Sequence, residues 1–277
     1  MIIDEYLSTG FTDVDSASNR DVYFNCLVFL DSLPYFREYK HRSYELLRLG
    51  QGMTVLDAGC GLGDDVFRIA GRVMPGGRVV GIDSSVVMIE KARSNELSMR
   101  LPAEFRAGDI RELPFPDNSF SRCRIDRVLQ HISRPEAAVS ELARVLEPGG
   151  LLLAYDNDWG TFSVTSGDHE TTRSLEKFWC DSFTNSWIGR DLCDLFISSG
   201  LSDVEIYPGT CVIRDFETAD KVYNLRETVR RATAEGVISR DRGRSWIEEL
   251  VDRTGKGSFL ASLTAYTAVG QKNQKAV

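Results

Sequence analysis

The stretch Asp57-Ala58-Gly59-Cys60-Gly61-Leu62-Gly63 sets an acid two residues ahead of three glycines at alternate positions, directly after the apolar run Met53 to Leu56. Glycines at such a junction let backbone approach a ligand closely, and the free N–H groups opening the next helix suit a carboxylate. Taken alone, the loop is also compatible with a packing turn. Asp83 falls at the end of a second apolar run, where a carboxylate accepts hydrogen bonds from both hydroxyls of a ribose. A solvated helix cap, with Ser84 beside it, is the alternative. Asp109 closes a third run and is placed to accept from an adenine amino group, with Ile110 and Met88 as apolar surface for the ring. Seen alone it reads as a turn residue. Three strand ends in a row describe one elongated site for an adenosine-bearing ligand.

These residues need a scaffold in which strands alternate with helices. Apolar residues from Tyr23 to Leu49 recur at helical spacing and are interrupted at Pro34, predicting one or two leading helices. Strands are predicted at 53–56, 78–82, 104–107, 121–125 and 151–155. The helices between them are predicted at 64–73, from Ser84 or Ser85 to about Leu97, and from a capping box in Ser133-Arg134-Pro135-Glu136. Pro75-Gly76-Gly77 and Pro148-Gly149-Gly150 serve as stops. A further helix is expected at 188–199. A sixth strand is expected at 203–207, with an extension to Ile213, and a seventh at 259–269, the two pairing antiparallel at one sheet edge. The rhythm defines an α/β fold, a doubly wound, mostly parallel seven-stranded sheet. Segments 157–187 and 216–257 are too long and too helical for plain loops and are expected as helical lids. The final QKNQKAV is expected to fray.

The stretch Leu56 to Gly63 resembles motif I of class I S-adenosylmethionine-dependent methyltransferases. Asp83 matches that family's acidic ribose ligand and Gly108-Asp109-Ile110 its adenine motif. Arg127-Val128-Leu129-Gln130-His131-Ile132, followed by Arg144-Val145-Leu146-Glu147-Pro148-Gly149-Gly150, resembles the ubiquinone and menaquinone methyltransferase-like branch. The resemblance covers about residues 35 to 156; beyond, it is architectural. It implies S-adenosylmethionine as cofactor, S-adenosylhomocysteine as product, and a cofactor set of Asp57, Gly59, Gly61, Gly63, Asp83, Ser84, Met88, Asp109, Ile110 and Arg127. Arg127, or a basic residue of the leading helices such as Arg42, is expected to meet the cofactor carboxylate. Surface charge accounts for Arg42 equally well. The domain expectation is a single methyltransferase domain over 1–277, with leading helices at 1–50, a cofactor-binding core at 51–156 and lids at 157–187 and 216–257 over the acceptor site.

In-line methyl transfer, as the resemblance implies it, chiefly requires alignment of the reactants. For a hydroxyl acceptor the leading base is His131, which also reads as a packing histidine at the start of a helix. Asp156, Asp158 and His169 are weaker candidates, and Tyr23, Tyr155 and Trp159 are candidate aromatic faces for a cationic donor. Ile125-Asp126-Arg127-Val128 lacks the Pro-Pro-aromatic tetrad of enzymes that methylate exocyclic amines of nucleic acid. With a formal charge of −8, this favours a small-molecule acceptor (quinone, polyketide, alkaloid or similar) and disfavours nucleic acid. The six cysteines are scattered without a metal-ligand pattern, so no metal is expected. No apolar run is long enough to span a membrane and no basic-then-apolar leader opens the chain, so a cytoplasmic protein is expected, monomeric or homodimeric. Two alternatives stay open. One is a protein of this fold that keeps the cofactor for a non-methylating reaction or a binding role. The other is a nicotinamide-dependent oxidoreductase, although the glycines do not follow GxGxxG and no Tyr-x-x-x-Lys pair is present.

Overall fold

The structure is a computed structural model that describes residues 6–274. The chain opens with a short turn of helix, α1 (Leu7–Gly10), and two leading helices, α2 (Asp21–Ser32) and α3 (Pro34–Leu46), divided at Pro34. Proline at the first position of α3 is pre-set for helical φ and lacks only an N–H that has no partner there. β1 (Thr54–Ala58), α4 (Asp64–Val73), β2 (Arg78–Asp83), α5 (Val86–Arg93), β3 (Ala103–Ala107), β4 (Phe120–Asp126), α6 (Pro135–Val145) and β5 (Leu146–Asn157) then alternate. A two-residue β6 (Ser163–Val164), α7 (His169–Asp181), α8 (Ile188–Ser198), β7 (Leu201–Ile213), α9 (Phe216–Tyr223), α10 (Leu225–Ala234), α11 (Arg240–Gly255) and β8 (Ala261–Lys272) complete the chain.

β3, β2, β1, β4 and β5 lie side by side and parallel. β8 joins β5 antiparallel and pairs β7 antiparallel along its other edge. The strand order reverses between β1 and β4, and the crevice outside the carboxyl ends of the strands at such a point is where open α/β sheets hold ligands. β1 and β2 are buried on both faces, as parallel strands covered by helices must be. Val66, Phe67, Ile69, Ala70 and Val73 of α4 all turn inward, an i, i+3, i+4, i+7 stripe that seats the helix on the sheet.

Several local expectations are corrected. The sheet has an eighth strand, since β6 pairs the start of β8. β5 begins at Leu146 and carries Pro148-Gly149-Gly150 as an irregularity opposite Phe120 and Arg122, instead of starting after those residues. α5 stops at Arg93, and a separate 3-10 turn over Glu96–Met99 is capped by the Asn95 side chain. The capping box at Ser133 does not form: Arg134 is the cap residue, with φ 58° and no side-chain cap bond. The Ser133 hydroxyl instead accepts from Arg111 Nη1 at 2.7 Å. Gln271 and Lys272 do not fray. They end β8, where Lys272 Nζ donates to the Leu146 carbonyl at 2.7 Å. The last three residues of the expected tail, 275–277, lie outside the described residues. Among the described residues no helix is long and apolar enough to cross a membrane.

Candidate active site

The carboxyl ends of β1, β2 and β4 open into one cleft of about 680 Å³, within the ~300–1,000 Å³ of small-molecule sites. At one end stands the glycine loop. Gly59 N and Cys60 N donate to the Ile82 carbonyl at 2.7 and 3.1 Å, locking the loop to the tip of β2. Gly59 and Gly63 both have positive φ, and a Cβ would lie 2.2 Å from Val128 Cγ2 in the first and 2.6 Å from Phe105 Cε1 in the second. Both positions therefore exclude a side chain on two independent grounds.

Asp83 ends β2 beside this loop. Its Oδ2 accepts from Gly61 N at 2.8 Å and its Oδ1 from Ser85 N at 2.9 Å. Two carboxylate oxygens offer about four acceptor sites, so capacity remains for two hydroxyls in the cleft that Asp83 lines. Burial raises its pKa, against the backbone hydrogen bonds from Ser85 and Gly61. Exposed Ser84 lines the cleft next to it, and Ser85 caps α5 by accepting from Met88 N at 3.1 Å. Met88 and Ile110 are buried on the cleft wall. Asp109 also faces the cleft, but its carboxylate is clasped by the Arg111 guanidinium at 2.7–3.0 Å, which holds it below the usual carboxylate range.

Asp57 lies under the loop and is not free. It accepts from Arg124 Nη1 at 2.9 Å, and Arg124, 1% exposed in the centre of β4, also meets Asp65 at 3.3 Å and Asp126 at 2.5 Å. Lys40 of α3 reaches Asp65 at 2.9 Å and Asp31 at 3.4 Å, and Tyr44 donates to Asp65. Burial raises the Asp57 pKa against the pull of Arg124. Burial also acts to raise Asp65, but Arg124 and Lys40 overcome it and hold Asp65 well below the carboxylate range. The leading-helix cation in the cleft is thus Lys40; Arg42 is exposed, pairs with Glu45 and lies away from it. Sequence reasoning missed Arg124 and Lys40. The signal for Arg124 was present, because a charged residue in the middle of a central strand requires buried partners.

The other end of the cleft is aromatic. Tyr35, Phe36, Tyr155, Trp159, Phe183 and Tyr223 contribute to its walls. Tyr39 stacks on Tyr155 at 3.8 Å, Tyr35 and Tyr155 share a 3.2 Å hydroxyl contact, and Trp159 stacks on Phe183 at 4.1 Å. Of the expected aromatic faces, Tyr155 and Trp159 are there. Tyr23 is not: it packs edge-on to Phe11, 1% exposed. Residues 11–15 line the cleft at the end of the glycine loop and Asp83, where the Asp15 carboxylate accepts from Ser85 Oγ and from Val86 N.

His131 lines the cleft with both ring nitrogens engaged. Trp159 Nε1 can only donate, so the Gln130 atom 2.9 Å from it is Oε1. That directs the Gln130 amide N–H toward His131 Nε2 at 2.9 Å, and leaves His131 Nδ1 to donate to the Ser8 carbonyl at 3.3 Å. Burial, with Arg127 adding to it, brings the ring down to about 4, so it is neutral near pH 7. Asp156, pushed up to about 7 by burial, accepts from two backbone N–H groups; Asp158 is clasped by Arg190; His169 is exposed on α7. None of these three lines the cleft.

Arg127 follows the tip of β4 with φ 56°, a left-handed conformation that costs a non-glycine residue about 1 kcal/mol or more. Its backbone N–H donates to the Tyr155 carbonyl at 2.8 Å, while its guanidinium lies 5.4 Å from the Phe36 ring centroid and lines the cleft.

The doubly wound sheet thus brings a glycine loop, an acid at the tip of the neighbouring strand and an aromatic chamber to one cleft. Residues 49–228 match the family described as "Methyltransferase domain". The chain is 38% identical over 237 residues, 85% of its length and 67% of the other's, to an uncharacterized 37.1 kDa protein of transposon TN4556 from Streptomyces fradiae. It is 32% identical over 133 residues to the demethylmenaquinone methyltransferase of Staphylococcus aureus, a match covering 48% of this chain and only 55% of that protein. In fold it resembles phosphoethanolamine N-methyltransferase 2 of Haemonchus contortus, solved with S-adenosylhomocysteine. That likeness has TM-score 0.59 at 16% identity over 95% of this chain and 60% of the other. This chain belongs to the methyltransferase-domain family, and its cofactor is S-adenosylmethionine.

Proposed function

We propose that this enzyme methylates a small, largely apolar metabolite, of the quinone, polyketide or alkaloid kind, held in the aromatic end of the cleft. The observation that carries the reading is that the glycine loop and the aromatic chamber open into one cleft large enough for a cofactor and an acceptor together. The formal charge of −8 further supports a metabolite over a nucleic acid.

When bound, S-adenosylmethionine supplies an electrophilic methyl group on a sulfonium. Asp83 and Ser84 take the ribose, Asp109, Ile110 and Met88 the adenine, and Gly59, Gly61 and Gly63 let the backbone close on the ligand. Asp57, paired to Arg124, is a positioning residue beneath the loop. The fit rests on the free acceptor capacity of Asp83 and on a loop that admits no side chain at two positions. Residues 6–17 and the segments 157–187 and 216–257 act as lids that exclude water, which favours transfer over loss of the methyl group to solvent. His131 serves to position Gln130 and the Ser8 strap. It is a poor base, because its Nε2 lone pair is occupied and its pKa lies well below 7.

Incubating the protein with methyl-labelled cofactor and fractionated metabolite extract tests the reading. Label should pass to an apolar small molecule with equimolar S-adenosylhomocysteine released. Conversion of a metabolite with the cofactor left unconsumed would establish the non-methylating alternative instead.

A further inference from the structure

Away from the glycine loop, Arg127 is the cation that lines the chamber, beside Tyr35, Phe36, Cys26 and Tyr155. Its guanidinium has one hydrogen-bonding partner among the described residues, Asp126, reached by Nε at 3.4 Å. Asp126 is already engaged more closely, by Arg124 at 2.5 Å and by the Tyr39 hydroxyl at 3.2 Å. Arg127 therefore presents two Nη groups with no hydrogen bond to described protein atoms. A guanidinium fork of this kind, desolvated among aromatic rings, matches an oxyanion.

Among the described residues, the same end of the chamber has no competent proton acceptor. Both His131 nitrogens are used, each Asp126 oxygen already accepts from two donors (Oδ1 from Tyr39 and Arg127, Oδ2 from Tyr39 and Arg124), and burial keeps the hydroxyls of Tyr35, Tyr155 and Tyr223 protonated. A nucleophile that needs a base at the moment of transfer is poorly served here. One that arrives ionised is well served.

Resting on the methyltransferase reading, we propose that Arg127 selects an acceptor with an acidic hydroxyl on a flat apolar frame, a phenol or an enol, and binds it as the oxyanion. The O–H bond breaks as the acceptor binds, its electron pair stays on oxygen, and the proton leaves to bulk water. The oxyanion then pairs with the Arg127 guanidinium between the rings of Phe36 and Tyr155, and the ionised acceptor is the nucleophile. A carboxylate offers the same chemistry to Arg127, and the cofactor carries one, so the test separates the two sources.

The probe is 4-nitrophenol, whose ionised form is coloured, titrated against the full chain in the presence of S-adenosylhomocysteine. The wild type should bind the phenolate at least tenfold more tightly than the phenol, lowering the probe's apparent pKa by a unit or more when bound, since one unit is a tenfold preference. Arg127→Gln should abolish that shift, and Arg127→Lys should restore part of it, with affinity for 5′-methylthioadenosine, which has no carboxylate for Arg127 to hold, within about twofold of wild type in both as the check on folding. Equal binding of phenol and phenolate by the wild type, no binding of either, or a shift that survives in Arg127→Gln overturns the proposal. So does a tenfold loss of S-adenosylhomocysteine affinity in Arg127→Gln with unchanged affinity for 5′-methylthioadenosine, which lacks the carboxylate; Arg127 then holds the cofactor. Failure of the methyltransferase reading itself shows separately, as absence of label transfer by the wild type.

Discussion

Arg124→Met removes a guanidinium that is 1% exposed and lies 2.9, 3.3 and 2.5 Å from the carboxylates of Asp57, Asp65 and Asp126. At an effective dielectric near 20, two unit charges about 4 Å apart attract by about 4 kcal/mol, and three such contacts converge here. Against this, the variant no longer has to desolvate the guanidinium, so the net loss is that of breaking a buried ion pair from one side, about 3–5 kcal/mol. That is a large share of the roughly 5–15 kcal/mol that holds a typical domain folded. Urea titration at pH 7, followed by tryptophan fluorescence, should show the midpoint falling accordingly. The pH dependence gives a second reading. Without Arg124, burial raises the Asp57 pKa with its main opposing cation removed, so the folded state binds more protons and the variant gains stability as pH falls toward 5. The gap to wild type should therefore narrow on acidification. A loss under about 1 kcal/mol at pH 7, or a gap that is constant from pH 7 to 5, would refute the argument that this cation neutralises the buried acids.

Asp83→Asn should weaken S-adenosylhomocysteine by roughly tenfold to a hundredfold in calorimetry, the range of a lost charge-assisted hydrogen bond or two; an affinity within twofold of wild type would remove Asp83 from the ribose site. Gly63→Ala, at φ +82° with Phe105 2.6 Å from the new methyl, should cost about 2–4 kcal/mol in the same urea assay through backbone strain and overpacking, whereas an unchanged midpoint would show that the loop relaxes freely. His131→Gln should keep label transfer within about tenfold, because a ring whose pKa is near 4 and whose Nε2 lone pair is occupied takes up no proton from an acceptor at pH 7; a thousandfold loss of kcat would restore it as a base. The depressed His131 pKa also means the unfolded chain binds more protons between about pH 6.5 and 4. His131 should accordingly take away stability as pH falls through that window, so that wild type loses about 2 kcal/mol relative to His131→Gln after allowing for solvent screening in the open cleft.

The features legible in the chain were those that depend on neighbours in sequence. α4 runs over Asp64–Val73 as its apolar spacing predicts, because an i, i+3, i+4 stripe and a proline-glycine stop act locally. The alternation of strands and helices, and with it the placing of Gly59–Gly63, Asp83 and Asp109 at successive strand ends, follows from the same local signals. The tertiary structure decided everything that depends on a through-space partner. Arg124 meets Asp57, 67 residues earlier in the chain, and His131 meets Ser8, 123 residues earlier. Ser133 gave up its cap to Arg111, and Lys40, not Arg42, reached the cleft. Protonation follows the same rule. Whether His131 is a base or Asp57 an open ligand is set by desolvation and by which charge lies within a few ångströms, and both arise only when distant segments pack around the cleft.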